Sequence, residues 1–122
     1  MTDEARSVSL WNATAVSLPF PALLEDATAD VCVIGAGIAG LSVAYELALR
    51  GHAIVLIDSA GIGAGMTART TAHLSSAFDD RYHEVERLHG SEAARQVAAS
   101  HTAALYRAAK IAKDEAIDCD LE

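Results

Sequence analysis

Cysteine is scarce in this sequence: Cys32 and Cys119 are the only two in 122 residues. That excludes a disulfide framework and a cysteine-built zinc site. Cys32 lies in an apolar run and reads as a small core residue, with a redox thiol as the alternative. Aromatic residues are also few, at 5%. Alanine fills much of the apolar quota, so the helices can pack closely but bury little area each. No apolar run reaches the length of a transmembrane helix. The start, Met1-Thr2-Asp3-Glu4, is acidic and has no signal-peptide pattern. A cytoplasmic protein with no membrane span is expected, and Asn12-Ala13-Thr14 is then a chance match to a glycosylation acceptor.

Basic charge is lacking as well, and the formal net charge is −8. The acids crowd the two flanks, whereas residues 31–78 balance Glu46 and Asp58 against Arg50 and Arg69. Nucleic-acid binding needs basic patches, so that function class is excluded. A phosphate bound by the neutral middle must be held mainly by backbone N–H groups. His52, His83, His89 and His101 have no metal-ligand spacing, and no metal site is expected. What is present, 52% hydrophobic and 21% charged residues, is the balance of one small globular domain.

Residues 1–29, with Pro19 and Pro21, read as an extended arm. Asp30–Ile34 is a short β-branched run, the pattern of a buried strand. Ile38 to Arg50 is predicted helical, with Leu41, Ala44, Tyr45 and Ala48 as its apolar stripe, and Gly51 ends it. Ala53–Ile57 is a second buried strand. A loop rich in Gly, Thr and Ala follows from Ser59 to Ser76, with a short helix beginning near Thr70. Tyr82–His89 is predicted to be one helix closed by Gly90. Ser91 then caps a long helix to about Ala116, with Val97, Ala104, Ala108 and Ile111 as its stripe. The remaining charges of these helices read as a solvated face. This is an α/β chain: a Rossmann-like βαβ unit that begins a larger parallel sheet and is followed by helices. The expected division is an arm over 1–29, a dinucleotide-binding unit and loop over 30–78, and a helical segment over 79–122. Two strands cannot bury both faces or cover their edges, so the chain is read as the front of a longer protein.

Gly35-Ala36-Gly37-Ile38-Ala39-Gly40 is a G-x-G-x-x-G. The string alone is weak evidence. Here it follows a predicted strand and opens a predicted helix, as its mechanism requires. Gly35 permits the tight turn, Gly37 leaves room for a pyrophosphate, and Gly40 lets helix and strand pack closely. The free N–H groups at Ile38, Ala39 and Gly40 and the helix dipole favour phosphate charge. Ala44 keeps the helix–sheet contact small. Asp58 stands 18 residues after Gly40, at the end of the second strand, where a carboxylate accepts hydrogen bonds from ribose hydroxyls and repels a 2′-phosphate. The bland alternative is a glycine-rich turn in another α/β domain, with Asp58 a surface acid.

FAD and NAD share this ADP-binding unit, so the next segment decides between them. Ser59-Ala60-Gly61-Ile62-Gly63-Ala64-Gly65-Met66-Thr67-Ala68-Arg69-Thr70-Thr71-Ala72-His73-Leu74 resembles the D-amino-acid-oxidase-like family of FAD-dependent oxidoreductases. That family includes glycine oxidase, sarcosine oxidase and γ-glutamylputrescine oxidoreductase. The arm, with Ser9-Leu10-Trp11-Asn12-Ala13-Thr14 and Pro19-Phe20-Pro21, resembles the lead-in of the putrescine-type members. The likeness covers residues 9–78; beyond that the helices match only in kind.

The resemblance implies FAD as the cofactor, with Ser59 beside the ribose acid and Thr67, Arg69, Thr70 and Thr71 along the pyrophosphate towards the flavin. It implies oxidation of a C–N bond in a small amine or amino acid by hydride transfer to the flavin. Catalytic residues and the substrate pocket would lie in later sequence. Two departures matter. The family most often has Glu where this chain has Asp58. Some members tether the flavin through a His in the turn, where this chain has Arg69, with His73 four residues later, so FAD is expected to be non-covalent. Arg69 reads equally as a phosphate partner or a solvated residue, and His73 as a turn residue or a flavin contact. Some relatives with a similar Thr-Thr-Ala-His turn carry a C-terminal Rieske iron–sulfur domain. The rival readings are an NAD-dependent dehydrogenase and a non-catalytic dinucleotide-binding module.

Overall fold

The computed structural model describes residues 8–15, 19–77, 81–119 and 121. Parts of the expected arm (1–7 and 16–18), residue 78 at the end of the expected binding unit and residues 79–80 at the start of the expected helical segment lie outside the described residues. The chain divides into two compact units, Met1–Thr71 and Ala72–Glu122.

In the first unit, strand β1 (Val31–Ile34) pairs in parallel with β2 (Ile54–Ile57), in the register Val31 to Ile54 through Ile34 to Ile57. Both strands are short runs of β-branched and aliphatic residues, which suit a pleated, covered surface. Asp30 fixes the start of the pairing: its N–H donates to the Ala53 carbonyl at 3.0 Å, and its Oδ2 accepts the Ala53 N–H at 2.8 Å. At the far end the Gly35 N–H donates to the Ile57 carbonyl at 2.8 Å and carries the ladder into the glycine turn.

Helix α2 (Ile38–Leu49) connects the two strands and packs on both. Gly40 makes that approach possible, because a Cβ there would overlap the Gly35 carbonyl oxygen and lie 3.3 Å from Val33 Cγ1. The stripe differs from expectation at one position. Leu41, Ala44, Tyr45 and Leu47 are half-buried, whereas Ala48 is exposed. The inward line runs Gly40, Ala44, Leu47, and Ala48 falls beside it. The helix closes as expected at Gly51 (φ 84°). The Gly51 N–H donates to the Ala48 carbonyl and the His52 N–H to the Leu47 carbonyl, at 2.9 and 3.2 Å, the paired bonds of a Schellman motif.

Three further sequence expectations are corrected in this unit. Cys32 is exposed, because α2 covers the other face of β1, on which Val33 is buried. The arm is not extended throughout: α1 (Leu10–Thr14) forms where Ser9 Oγ accepts the Asn12 N–H, a side-chain N-cap. The short helix of the loop is a 3-10 turn at Met66–Arg69, ahead of Thr70. Thr70 is extended (φ −68°, ψ 153°) and ends it.

The second unit is built on α3 (Arg81–Asp114), which is two helices meeting at Gly90 (φ 86°, ψ 165°), as the glycine predicted. Its surface carries helical ion pairs, Glu84–Arg87 at 2.8 Å and Lys110–Asp114 at 2.7 Å. The expected stripe is only half right. Val97 and Ile111 are half-buried, but Ala104 and Ala108 are exposed, while Ala94, Ala98, His101, Leu105, Ala109 and Ala112 form the covered line. In an alanine-rich helix two adjacent lines look equally apolar, so the pattern cannot choose between them.

Candidate functional site

Parallel strands put their carboxyl ends on the same edge, and in open α/β sheets ligands bind outside those ends. Here that edge carries the glycine turn after β1 and Asp58 after β2. A cavity of about 390 Å³ lies there, lined by Ile34, Gly35, Ile57, Asp58 and Ser59. Gly35 turns with φ 102°, a left-handed conformation that favours glycine.

Asp58 is exposed yet heavily bonded. Its Oδ2 accepts the Ala36 N–H at 2.7 Å, and its Oδ1 accepts the Ala60 and Gly61 N–H groups at 2.7 and 3.0 Å. The Ala36 bond and then the Ala60 bond hold its carboxyl below the ordinary aspartate range; slight desolvation opposes them and the Gly61 bond adds to them. Each carboxylate oxygen has two lone-pair sites. Oδ1 has filled both with protein donors, and Oδ2 has one such donor among the described residues. The acid therefore joins the glycine turn to the following loop. The Gly63 N–H, donating to the Ala36 carbonyl at 2.8 Å, adds a second tie.

The first intrahelical bond of α2 runs from the Leu41 N–H to the Gly37 carbonyl at 3.0 Å. Three earlier N–H groups of the helix thus lie free of the helix ladder. The Ile38 N–H donates to Thr67 Oγ1 at 3.0 Å. Among the described residues, no group accepts the N–H of Ala39 or Gly40. These two donors, together with the positive end of the helix, suit an anion. A Cβ on Gly37 would sit 3.2 Å from Thr67 Oγ1, so the missing side chain leaves space at the helix start that Thr67 borders.

The structure thus brings together Gly35, Gly37, Ile38, Ala39, Gly40 and Thr67 on one side, and Asp58 and Ser59 on the other. Arg69, Thr70 and Thr71 are exposed. No carboxylate among the described residues pairs with Arg69. Sequence reasoning gave Ala36, Ala60, Gly61 and Trp11 no part in this region. The first three act through backbone N–H groups, which leave no trace in residue type. Trp11 donates from Nε1 to the Thr70 carbonyl at 2.8 Å; its signal was only its place in the family-like lead-in. Among the described residues there is no metal-ligand cluster and no helix long and apolar enough to cross a membrane.

The residues present fit the ADP half of an FAD molecule: two open N–H donors at a helix start, a glycine without a side chain beside them, and a carboxylate at the end of β2. Comparison with known proteins agrees. Residues 30–122 match the family model described as DAO, FAD dependent oxidoreductase. A Bacillus subtilis protein, YhfW, provisionally named as a Rieske 2Fe-2S iron-sulfur protein, is 40% identical over 108 residues, which are 88% of this chain and 21% of that protein. The gamma-glutamylputrescine oxidoreductase of Escherichia coli is 31% identical over 106 residues, 84% of this chain and 24% of that protein. A Haemophilus influenzae protein provisionally named as the oxidoreductase OrdL is 36% identical over 78 residues, 64% of this chain and 18% of that protein. The chain thus spans about a fifth to a quarter of the length of these relatives. No solved structure is a significant match. The chain belongs to the DAO family of FAD-dependent oxidoreductases.

Proposed function

We propose that this chain supplies the ADP-binding part of an FAD site in an oxidoreductase that oxidises a C–N bond of an amine or amino acid. The observation that carries this reading is that Gly35–Gly40 and Asp58 meet at the carboxyl ends of paired parallel strands, in a chain of this family. The gamma-glutamylputrescine oxidoreductase relative supports the amine class.

In this reading the N–H groups of Ala39 and Gly40 hold the pyrophosphate at the helix start, where Thr67 keeps the Ile38 N–H beside them. Gly35 and Gly37 leave room for it. Asp58 accepts a ribose hydroxyl at Oδ2, beside Ser59. Thr67, Arg69, Thr70 and Thr71 then offer hydroxyls and a guanidinium along the way to the flavin. FAD, when bound, supplies the electron sink that takes a hydride from the carbon beside the substrate nitrogen. The attachment is non-covalent, because Arg69 stands where tethering members of the family have His. Residues 30–78 hold the cofactor, and residues 79–122 lead towards the part that binds substrate.

The test is to purify the whole protein and record its flavin absorbance before and after acid precipitation, then add amines without oxygen. The reading expects a yellow protein, all colour released to the supernatant, and bleaching by an amine or amino acid. A colourless protein, or colour that stays with the precipitate, contradicts the cofactor or its non-covalent attachment respectively. Colour that no amine bleaches contradicts the substrate class.

A further inference from the structure

We infer that Trp11 is a positioning residue for the cofactor: α1 clamps the Met66–Arg69 turn and so holds Thr67 at the start of α2. This rests on the FAD reading above.

A four-residue 3-10 turn has too few internal bonds to hold its own place. The bond that closes it, from the Thr70 N–H to the Thr67 carbonyl, is long at 3.5 Å. The turn is therefore fixed from outside. On one side Thr67 Oγ1 accepts the Ile38 N–H at 3.0 Å, beside the glycine that leaves it room. On the other side Trp11 Nε1 donates to the Thr70 carbonyl at 2.8 Å, across 59 residues of sequence. Helix α1 packs on the 3-10 turn, and Ala68, in the middle of the turn, is buried. These two ties bracket the turn.

The indole can do this because it is a long, stiff side chain with one donor and a broad apolar face. The backbone supports it: Ser9 caps the helix, and Thr14 Oγ1 donates to the Leu10 carbonyl at 2.8 Å. In the FAD reading, the turn that Trp11 holds bears the groups that border the pyrophosphate. Releasing it lets Thr67 leave the helix start and costs ordering entropy when the cofactor binds. Trp11 touches no cofactor atom in this account. It acts through the turn.

The turn carries its own reporter. Arg69 is exposed, and trypsin cleaves after arginine once the local backbone opens. The experiment compares the whole protein with Trp11→Phe, which keeps a ring and removes the donor, and Trp11→Ala, which removes both. Cleavage after Arg69 is followed without FAD, with cleavage after Arg95 as an internal reference. FAD affinity of the apoprotein is read from flavin fluorescence. Trp11→Phe should raise Arg69 cleavage and weaken FAD binding by about 5-fold each, the scale of one hydrogen bond, with Arg95 cleavage unchanged. Trp11→Ala should exceed it on both. Unchanged Arg69 cleavage in both variants overturns the clamp. Faster cleavage with unchanged FAD affinity overturns its role for the cofactor. If the parent protein binds no FAD while Arg69 is released in the variants, the FAD reading fails and the clamp stands alone.

Discussion

The Asp58 carboxylate accepts the Ala36 N–H at 2.7 Å, so the acid at the end of β2 holds the glycine turn at the end of β1. In the proposed site one side chain then has two tasks: it shapes the turn before any ligand arrives, and it takes a ribose hydroxyl afterwards. A substitution at 58 should therefore disturb both fold and affinity.

Asp58→Asn keeps the size and loses the charge. FAD affinity should fall about tenfold, the scale of a charge-assisted hydrogen bond. The acid branch of stability should change too. The folded Asp58 pKa is lowered, so its contribution is fully present above the ordinary aspartate value of about 4 and is lost as pH falls through the lower folded value. Thermal midpoints of wild type and Asp58→Asn, measured from about pH 5 down to about pH 2, should converge as pH falls. A constant gap would show that the charge of Asp58 does not stabilise the turn.

Gly40→Ala tests the contact between α2 and the turn. The added Cβ meets the Gly35 carbonyl, which is backbone and cannot rotate away. The helix must move off the strand, at a cost of about 1–3 kcal/mol or more. Denaturant midpoints of the whole protein should drop accordingly, and FAD retention should drop with them. An unaltered midpoint would mean that the close approach is unnecessary.

Much of this site was legible because its rules concern residue type at fixed spacing. The strand, the three glycines, the helix and Asp58 follow one another in an order that the βαβ unit requires. The second bonding role of Asp58 was not legible, since its partners Ala36, Ala60 and Gly61 contribute only N–H groups. The 3-10 turn and α1 were misread for a related reason: short helices are fixed by tertiary contacts rather than propensity. Trp11 and Thr67 supply those contacts from far along the chain. Cys32 looked like core because both faces of a short apolar strand look alike in sequence. The helix after Gly90 was placed correctly, but its buried line was misassigned, because alanine marks no face.

At the end of α3, Ala116 adopts φ 51°. The Ala116 N–H donates to the Lys113 carbonyl and the Ile117 N–H to the Ala112 carbonyl, at 3.2 and 2.8 Å. This is a second Schellman closure, with alanine where glycine is preferred. Ala116→Gly relieves the left-handed strain and gives back part of it as unfolded-state entropy. The net gain should be about 0.5–1 kcal/mol. Equilibrium denaturation of the whole protein would reveal it, and a loss of stability would mean that residue 116 is not left-handed in solution.

Residues 1–122 expressed by themselves should not unfold cooperatively. Among the described residues only Val33, Ala36 and Ala68 are buried apolar positions, and Ile34, in β1, is 82% exposed. Two strands with one covering helix leave a face and an edge open, which invites aggregation. A sharp two-state denaturant transition of the isolated polypeptide, with amine oxidation on adding FAD, would contradict this.

The central claim is that the Gly35–Gly40 turn holds the pyrophosphate of FAD. Flavin content of the purified whole protein, wild type against Gly37→Val, tests it most directly. A valine there brings its Cβ to 3.2 Å from Thr67 Oγ1 and adds two methyl groups to the space assigned to the phosphates. The account expects a near-full complement of FAD in wild type and almost none in the variant, with the helical circular dichroism of the two alike. A folded Gly37→Val protein as yellow as wild type would contradict it.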